Sequence, residues 1–216
     1  MTEQAHGFLE PLVQQSTPSI IADKLRSAIG HGHLPPGAQL GEADLARDLG
    51  VSRGPLREGI QRLTQEGLLV SIRNRGVFVI EMTPAAVRDL YVARSAVERA
   101  AAALLVRRGT ATDELLAQVA RMEAAGRDRA GVDDGVIGFH ETLVGLAESP
   151  RLSRVHRTLL TETRMCLPGL DPEYAVSAER VSAHRDIAEA VRNGKAPAVD
   201  RLLVGHMDDA FDRLSG

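Results

Sequence analysis

The chain has 216 residues, of which 44% are apolar and 25% are charged, and this balance excludes wholesale disorder. The formal net charge of −3 argues against indiscriminate coating of nucleic acid. A single cysteine, Cys166, excludes an internal disulfide framework or a thiolate zinc finger, and we interpret it as a small core residue. No signal-peptide pattern and no apolar run of membrane length is present, so we expect a cytoplasmic protein without a membrane segment.

The first part of the chain predicts a small domain of three helices and a β-hairpin. Residues 1–15 are predicted to be a flexible arm, and the domain to cover residues 16–82, with Thr17 as the cap of its first helix and Pro18 in the first turn. The other elements are helices predicted at 42–49 and 53–66 and strand-like runs at 68–70 and 77–80, with a turn at 73–76.

The second part of the chain predicts an all-α bundle. Thr83 followed by Pro84 repeats the pattern of a cap and a first-turn proline, and it marks the start of a domain over residues 83–216. No strand pattern follows, so the fold class is mostly α. The helices are predicted at 84–108, 112–126, 132–148, 150–167, 177–193 and 197–214.

The turn before the third helix is typical of a helix-turn-helix. It spans residues 49–52 and contains a glycine, and Ser52 is predicted to cap the helix that follows. On that helix Arg53, Arg57 and Gln61 recur every four residues and form one stripe. Arginine can bond guanine with two hydrogen bonds and glutamine can pair with adenine, so this helix suits the major groove of DNA. The basic tip at 73–76 predicts a wing.

The stretch from Gly37 to Val79 resembles the winged helix-turn-helix of the GntR family of bacterial transcription regulators. Its most specific parts are "LGVSRGPLRE", "RLTQEGLL" and "NRGVFV". Two positions depart from the family pattern, because Gly54 stands where threonine is usual and Gly59 stands where alanine is usual. Together, the resemblance and the stripe give a candidate DNA-binding set of Ser52, Arg53, Gly54, Arg57, Gln61, Arg75 and Gly76.

Three histidines of the predicted bundle have the spacing that a shared ligand needs. His184 and His206 each lie 11 residues from Lys195, so they face each other if the two helices fold back antiparallel. His140, on an earlier helix, could complete a set of three. Neutral imidazoles suit zinc or nickel, whereas the alternative is that the three are unrelated core or surface histidines.

Residues 84–214 resemble the FadR-type C-terminal domain, called FCD, an all-helical bundle that senses ligands. The stretches "DLYVARSAVERAAAALLV" and "GFHETLVGLAESPRL" and the closing pair of helices carry the resemblance. In metal-binding members three histidines and one aspartate hold the ion, which implies His140, His184 and His206 as ligands here. The aspartate position, four residues before the first histidine, is Val136, and neither Asp133 nor Asp134 has the spacing to replace it.

Two arginines are candidates for binding an effector. Arg94 faces the apolar side of its helix, and a buried guanidinium needs an anion. The resemblance implies that an organic-acid effector supplies a carboxylate there, while a salt bridge with Glu98, four residues later, is an equal alternative. Arg164 is a second candidate of the same kind.

The two domains together predict a DNA-binding transcription regulator and not an enzyme. We expect a metabolite-responsive repressor that binds a palindromic operator in double-stranded DNA as a homodimer, because one winged helix buries little surface. One alternative is a DNA-binding protein whose bundle only dimerises. Another is a metalloenzyme built on the histidines, although the sequence has no nucleophile elbow, phosphate-binding loop or glutamate placed as a general base.

Overall fold

A computed structural model describes residues 16–215, and the predicted arm at 1–15 lies outside the described residues. The chain forms a winged unit, from α1 to β3, and a helical bundle, from α4 to α10. The winged unit consists of α1 (Thr17–Gly30), β1 (Gln39–Leu40), α2 (Glu42–Asp48), α3 (Arg53–Gln65), β2 (Leu69–Ile72) and β3 (Gly76–Val79). The bundle consists of α4 (Pro84–Arg108), α5 (Asp113–Ala125), α6 (Arg129–Gly145), α7 (Pro150–Cys166), α8 (Pro172–Ala175), α9 (Ala178–Arg192) and α10 (Ala196–Ser215). The predicted fold class is confirmed.

The sheet of the winged unit has three antiparallel strands in the order β1-β3-β2. The predicted hairpin is present, with Leu69 of β2 opposite Val79 of β3. The prediction missed β1, in which Gln39 pairs with Phe78 on the free edge of β3. Two residues are too few to show the alternation that identifies a strand, so the pairing rather than the sequence pattern defines β1.

The starts of the helices agree only in part with the sequence pattern. The Thr83 hydroxyl accepts a hydrogen bond from the Ala86 amide at 3.2 Å, and Pro84 opens α4 as predicted. For α1 the prediction is one residue late, since Ser16 and not Thr17 occupies the cap position. Ser52 holds the cap position of α3 with extended backbone, yet its hydroxyl makes no capping hydrogen bond.

The bundle packs around a shared core centred on Phe139, Leu143 and Leu203, all fully buried. The short α8 and a 3-10 turn at Leu167–Gly169 occupy the predicted break between helices. The Asp171 carboxylate accepts hydrogen bonds from two backbone amides at the start of α8, at 2.9 and 3.0 Å, which explains this unpredicted turn. Cys166 is buried, and burial raises the pKa of its thiol to about 12, as a core residue requires.

Helix α3 crosses α1 at a point where Gly59 allows close approach. A Cβ atom on Gly59 would lie 2.9 Å from Cγ2 of Ile21 and 3.2 Å from the carbonyl oxygen of Pro18. Both neighbours are poorly able to move, since Ile21 is buried and β-branched and the Pro18 oxygen belongs to the backbone. This contact is the structural reason for glycine at a position where helix propensity favours alanine.

We expect Gly59→Ala to destabilise the protein by about 1–3 kcal/mol, because overpacking against α1 outweighs the helix propensity of alanine, worth about 1 kcal/mol. Gly54→Ala in the same helix is the matched control, since a Cβ there meets nothing within 4 Å. We expect the control to raise stability slightly. Urea denaturation of both variants measures the difference, and equal stabilisation by the two changes would contradict the close contact.

The winged unit contacts the bundle where α1 meets α7. Met165 of α7 packs against the core of the winged unit. A Cβ atom on Gly30, at the end of α1, would lie 3.2 Å from Cδ of Arg164. The helix that supports α3 is therefore also the helix that rests on the bundle.

Candidate nucleic-acid interface and metal centre

Helix α3 separates an apolar face from an exposed polar face. Leu56, Ile60 and Leu63 are buried in the winged unit. The predicted DNA-binding positions of α3 are all exposed: Ser52, Arg53, Gly54, Arg57 and Gln61. Because the Ser52 hydroxyl makes no capping bond, it and the free amides of the first turn of α3 can donate to a phosphate.

Arg57 has a partner within the winged unit. Its Nε donates to Oε2 of Glu42 in α2 at 2.7 Å, while 65% of its side chain stays exposed. This bond uses only Nε, so the two terminal nitrogens of the guanidinium are not part of it. The contact crosses between the two helices of the helix-turn-helix, and the sequence pattern did not predict it.

The wing is a tight turn with two residues of positive φ. Asn74 has φ of 61° and Gly76 has φ of 106°, a conformation that favours glycine. The side-chain amide of Gln39 donates to the carbonyl oxygen of Arg75 at 2.7 Å, and a Cβ on Gly76 would lie 2.9 Å from that nitrogen. The guanidinium of Arg75 lies 5.5 Å from the ring centre of Phe78. Gly76 is thus required by the shape of the wing itself, and Arg75 is held exposed at its tip.

His140 of α6, His184 of α9 and His206 of α10 converge in the bundle. Their ligand atoms lie within 4.8 Å of one another, and we name these residues the histidine cluster. Nε2 of His140 and Nε2 of His206 are 3.2 Å apart. Nε2 of His184 is buried without a hydrogen-bond partner, whereas its Nδ1 donates to the Arg180 carbonyl at 2.7 Å. The predicted proximity of the three side chains is therefore observed.

The histidine cluster carries no charge at neutral pH. Burial lowers the pKa of His140 to about 4 and that of His206 to about 3. Burial, followed by the neighbouring histidines, holds the pKa of His184 well below its ordinary value of 6.5. Neutral imidazole is the form that binds a metal ion.

No carboxylate joins the three histidines within residues 16–215. Val136 is 5% exposed and presents only an apolar side chain. Asp133 accepts from Nη1 of Arg180 at 2.7 Å, and Asp134 accepts from Nη1 of Arg164 at 2.6 Å. Both aspartates thus pair with arginines outside the histidine cluster.

Glu98 connects the histidine cluster to the rest of the bundle, and the sequence pattern predicted its pair with Arg94 but not its contacts with histidines. It is fully buried, and its Oε2 accepts from Nδ1 of His140 at 2.7 Å. Its Oε1 lies 3.0 Å from Nε2 of His156 and 3.0 Å from Nε of Arg94. Burial acts to raise the pKa of Glu98, but His140 and Arg94 together hold it well below the ordinary value. A carboxylate behind a histidine of this kind orients the ring.

Arg94 forms the salt bridge that the sequence offered as one of two alternatives. It is 2% exposed and pairs with Glu98. Its Nη2 is buried and lies 3.0 Å from Oε1 of Glu98, within salt-bridge distance but without hydrogen-bond geometry. Arg164 lies elsewhere, in the wall of a cleft between α1 and α7, where it pairs with Asp134.

Two family models match the chain over the units just described. The model of bacterial regulatory proteins of the gntR family matches residues 18–79, and the FCD domain model matches residues 89–209. The chain belongs to the GntR family of bacterial regulators.

Relatives of this GntR-family protein cover it almost end to end. It is 29% identical over 188 residues to the Nta operon transcriptional regulator of Aminobacter aminovorans, covering 84% of this chain and 87% of the relative. It is 25% identical over 198 residues to the transcriptional repressor RspR of Escherichia coli, covering 88% and 85%. The crystal structure of a GntR transcriptional regulator from Rhodococcus sp. RHA1 is 28% identical, with a TM-score of 0.77 over 93% of this chain and 98% of that one.

Membership of the GntR family identifies a DNA-binding transcription regulator with an FCD domain, and it excludes the metalloenzyme alternative. None of the helices within residues 16–215 has the length and apolar character needed to cross a membrane.

Proposed function

We propose that this GntR-family protein is a metabolite-responsive repressor of the FadR subfamily that binds a palindromic operator as a homodimer. The exposed face of α3 supports this proposal most directly, since its polar side chains point to solvent while the apolar stripe on the other face anchors the helix in the winged unit. Similarity to the repressor RspR supports repression as the sign of regulation. A single winged unit buries little DNA surface, which favours two units on two half-sites.

In the proposed complex, α3 lies in the major groove. Arg53 and Arg57 bind guanine edges and Gln61 pairs with adenine, while Ser52 and the first turn of α3 bind a backbone phosphate. Gly54 has no side chain and allows the backbone to approach the DNA. Arg75, held at the tip of the wing beside Gly76, enters the minor groove.

For the bundle we propose that the histidine cluster holds a divalent ion, zinc or nickel. The observation that carries this proposal is the buried, unpartnered Nε2 of His184 beside Nε2 of His140 and His206. An orphaned acceptor in the interior is costly, and a metal ion satisfies it. Glu98 fixes the His140 ring so that Nε2 offers its lone pair. With Val136 in place of a carboxylate, the ion when bound supplies open positions for the oxygen atoms of an effector.

The proposed effector is a small organic acid. Nη2 of Arg94 is buried and lies 3.0 Å from Oε1 of Glu98 without forming a hydrogen bond, so it can donate to the carboxylate of an effector. An effector regulates only if it binds one arrangement of the winged units better than another. We therefore propose that its binding changes the position of the bundle against α1.

Untagged protein purified without chelator should contain about one metal ion per chain, and His184→Ala should abolish it because the central acceptor is lost. Inductively coupled plasma mass spectrometry gives the stoichiometry. His33→Ala, which removes an exposed histidine outside the cluster, is the control and should leave the metal content unchanged. Absence of metal after dialysis against zinc would refute the metal proposal.

Val136 favours a second candidate, a DNA-binding protein whose bundle only dimerises, because the apolar residue removes a hard oxygen ligand from the cluster. A thermal-shift screen with organic acids, sugar acids and acyl-coenzyme A separates the two. Stabilisation by any of them supports the sensor, and stabilisation by none supports the dimerisation role.

A further inference from the structure

A cleft of about 790 Å³ separates the winged unit from the bundle, outside the histidine cluster. One wall is α1, and the other is formed by α6 and α7. This volume suits a ligand of the size of a metabolite or drug, and clefts between domains are frequent binding sites. The DNA-binding and metal proposals make no use of this space.

The cleft is rich in arginine. Four arginines line it against two carboxylates: Arg26, Arg154, Arg157 and Arg164 face Asp23 and Glu141. Nη1 of Arg26 pairs with Asp23, and its Nη2 donates to Glu66 at 2.7 Å. Its Nε is buried without a hydrogen-bond partner, in a side chain that is only 9% exposed. Arg26 thus lines the cleft with one donor nitrogen left free.

Two further arginines of the cleft have no counter-charge of their own. Within residues 16–215 no carboxylate lies within salt-bridge distance of Arg154 or Arg157, and both are exposed on α7. They stand one turn apart on the same helix, so their guanidinium groups can bind one anionic group together. Arg164, already paired with Asp134, lies two turns further along α7.

The floor of the cleft is apolar. Ile137 and Val144 of α6 and Leu160 of α7 line it and are each less than 10% exposed. Together with the arginines, they give the cleft one apolar side and one cationic side. A ligand that satisfies both has an apolar body and an anionic head, either a phosphate monoester or a carboxylate.

We propose that this cleft is a second ligand site, which binds an amphipathic anion between the winged unit and the bundle. The ligand contacts α1 and α7 at once, so its binding free energy favours the arrangement in which these helices lie at the observed spacing. Arg26 also bonds Glu66, which follows directly on the end of α3, and it links the cleft to the DNA-reading helix.

Isothermal titration of the full chain with 1-naphthyl phosphate, 1-naphthoate and the neutral 1-naphthol tests the site. We expect at least one anion to bind and 1-naphthol not to bind, and the comparison of the two anions identifies the preferred head group. The double change Arg154→Gln with Arg157→Gln should weaken binding at least tenfold. Arg151→Gln, an exposed arginine of α7 outside the cleft, is the matched control and should have no effect.

Two further variants separate this site from the histidine cluster. Ser27→Phe places a ring on the α1 wall without changing any charge and should abolish binding. His184→Ala should leave the affinity for the probe unchanged, even if the metal proposal fails. Loss of probe binding in His184→Ala but not in Ser27→Phe, equal binding of 1-naphthol, or no binding of either anion would overturn the proposal.

Discussion

Replacing both Arg53 and Arg57 by alanine should reduce operator affinity roughly a hundredfold or more, since each arginine that binds guanine contributes about 1–3 kcal/mol. Both side chains are exposed on α3 and bury no core surface, so the fold should be unaffected. The DNA is obtained by selecting tight binders from a random-sequence pool with the unaltered protein. Fluorescence anisotropy on that DNA, at one fixed salt concentration, gives the affinities.

The control for this experiment is Arg201→Ala, which removes an exposed positive charge from α10, far along the chain from the winged unit. It should change the affinity little. The double variant should also lose the distinction between the selected DNA and a scrambled duplex, because base contacts and not phosphate contacts are removed. If the double variant keeps both affinity and selectivity, α3 is not the reading helix and the proposed DNA-binding set must be rejected.

Glu98→Ala should lower the free energy of unfolding by about 3–5 kcal/mol, the cost of leaving a buried charge without its partner. Arg94 is 2% exposed and has Glu98 as its ion pair, and the ring nitrogens of His140 and His156 also lose their acceptor. Urea denaturation of metal-free protein at neutral pH measures the change. Glu189→Ala, at an exposed pair 3.9 Å from Arg192, should cost at most about 0.5 kcal/mol.

A second pair of variants tests whether the loss of stability at position 98 comes from the lost charge or from the lost side-chain volume. Glu98→Gln keeps the volume but leaves Arg94 uncompensated, so we expect it to be destabilising. Adding Arg94→Met to Glu98→Gln should recover part of the loss, because no unpaired charge then remains in the core. Additive losses in the double variant would show that the ion pair is not the source of the effect.

The sequence predicted the winged unit well because its elements are local. The apolar stripe of α3, the glycines that end helices and the Thr83-Pro84 start of α4 each depend on residues a few positions apart. The two-residue β1 escaped prediction because its pairing with β3 joins residues nearly forty positions apart. The start of α6 was predicted at residue 132, whereas the helix begins at Arg129, since no side-chain cap marks its first turn.

The candidate sites also differ in how far they depend on local sequence patterns or on long-range packing. Spacing around Lys195 predicted that His184 and His206 would meet, because two antiparallel helices joined by a short turn have fixed geometry. The contact between Glu98 and His140 depends on how α4 packs on α6. The spacing of residues along the sequence does not predict this packing. The cleft could not be predicted from the sequence either, since it forms only where α1 packs against α7.

The close contact between Gly59 and α1 limits how the two helices can move relative to each other. Because α3 lies too close to α1 for the two helices to slide past each other, we expect any movement of α1 on the bundle to carry α3 with it. If α1 tilts slightly on the bundle, each atom of the winged unit moves in proportion to its distance from the contact between α1 and α7. The exposed side chains of α3 that lie furthest from this contact then move most. In the proposed homodimer, the distance between the two copies of α3 would change by the sum of the two displacements. The major groove recurs on one side of a duplex roughly every 34 Å. A modest tilt would therefore change the distance between the two copies of α3 so that they no longer match two successive major grooves.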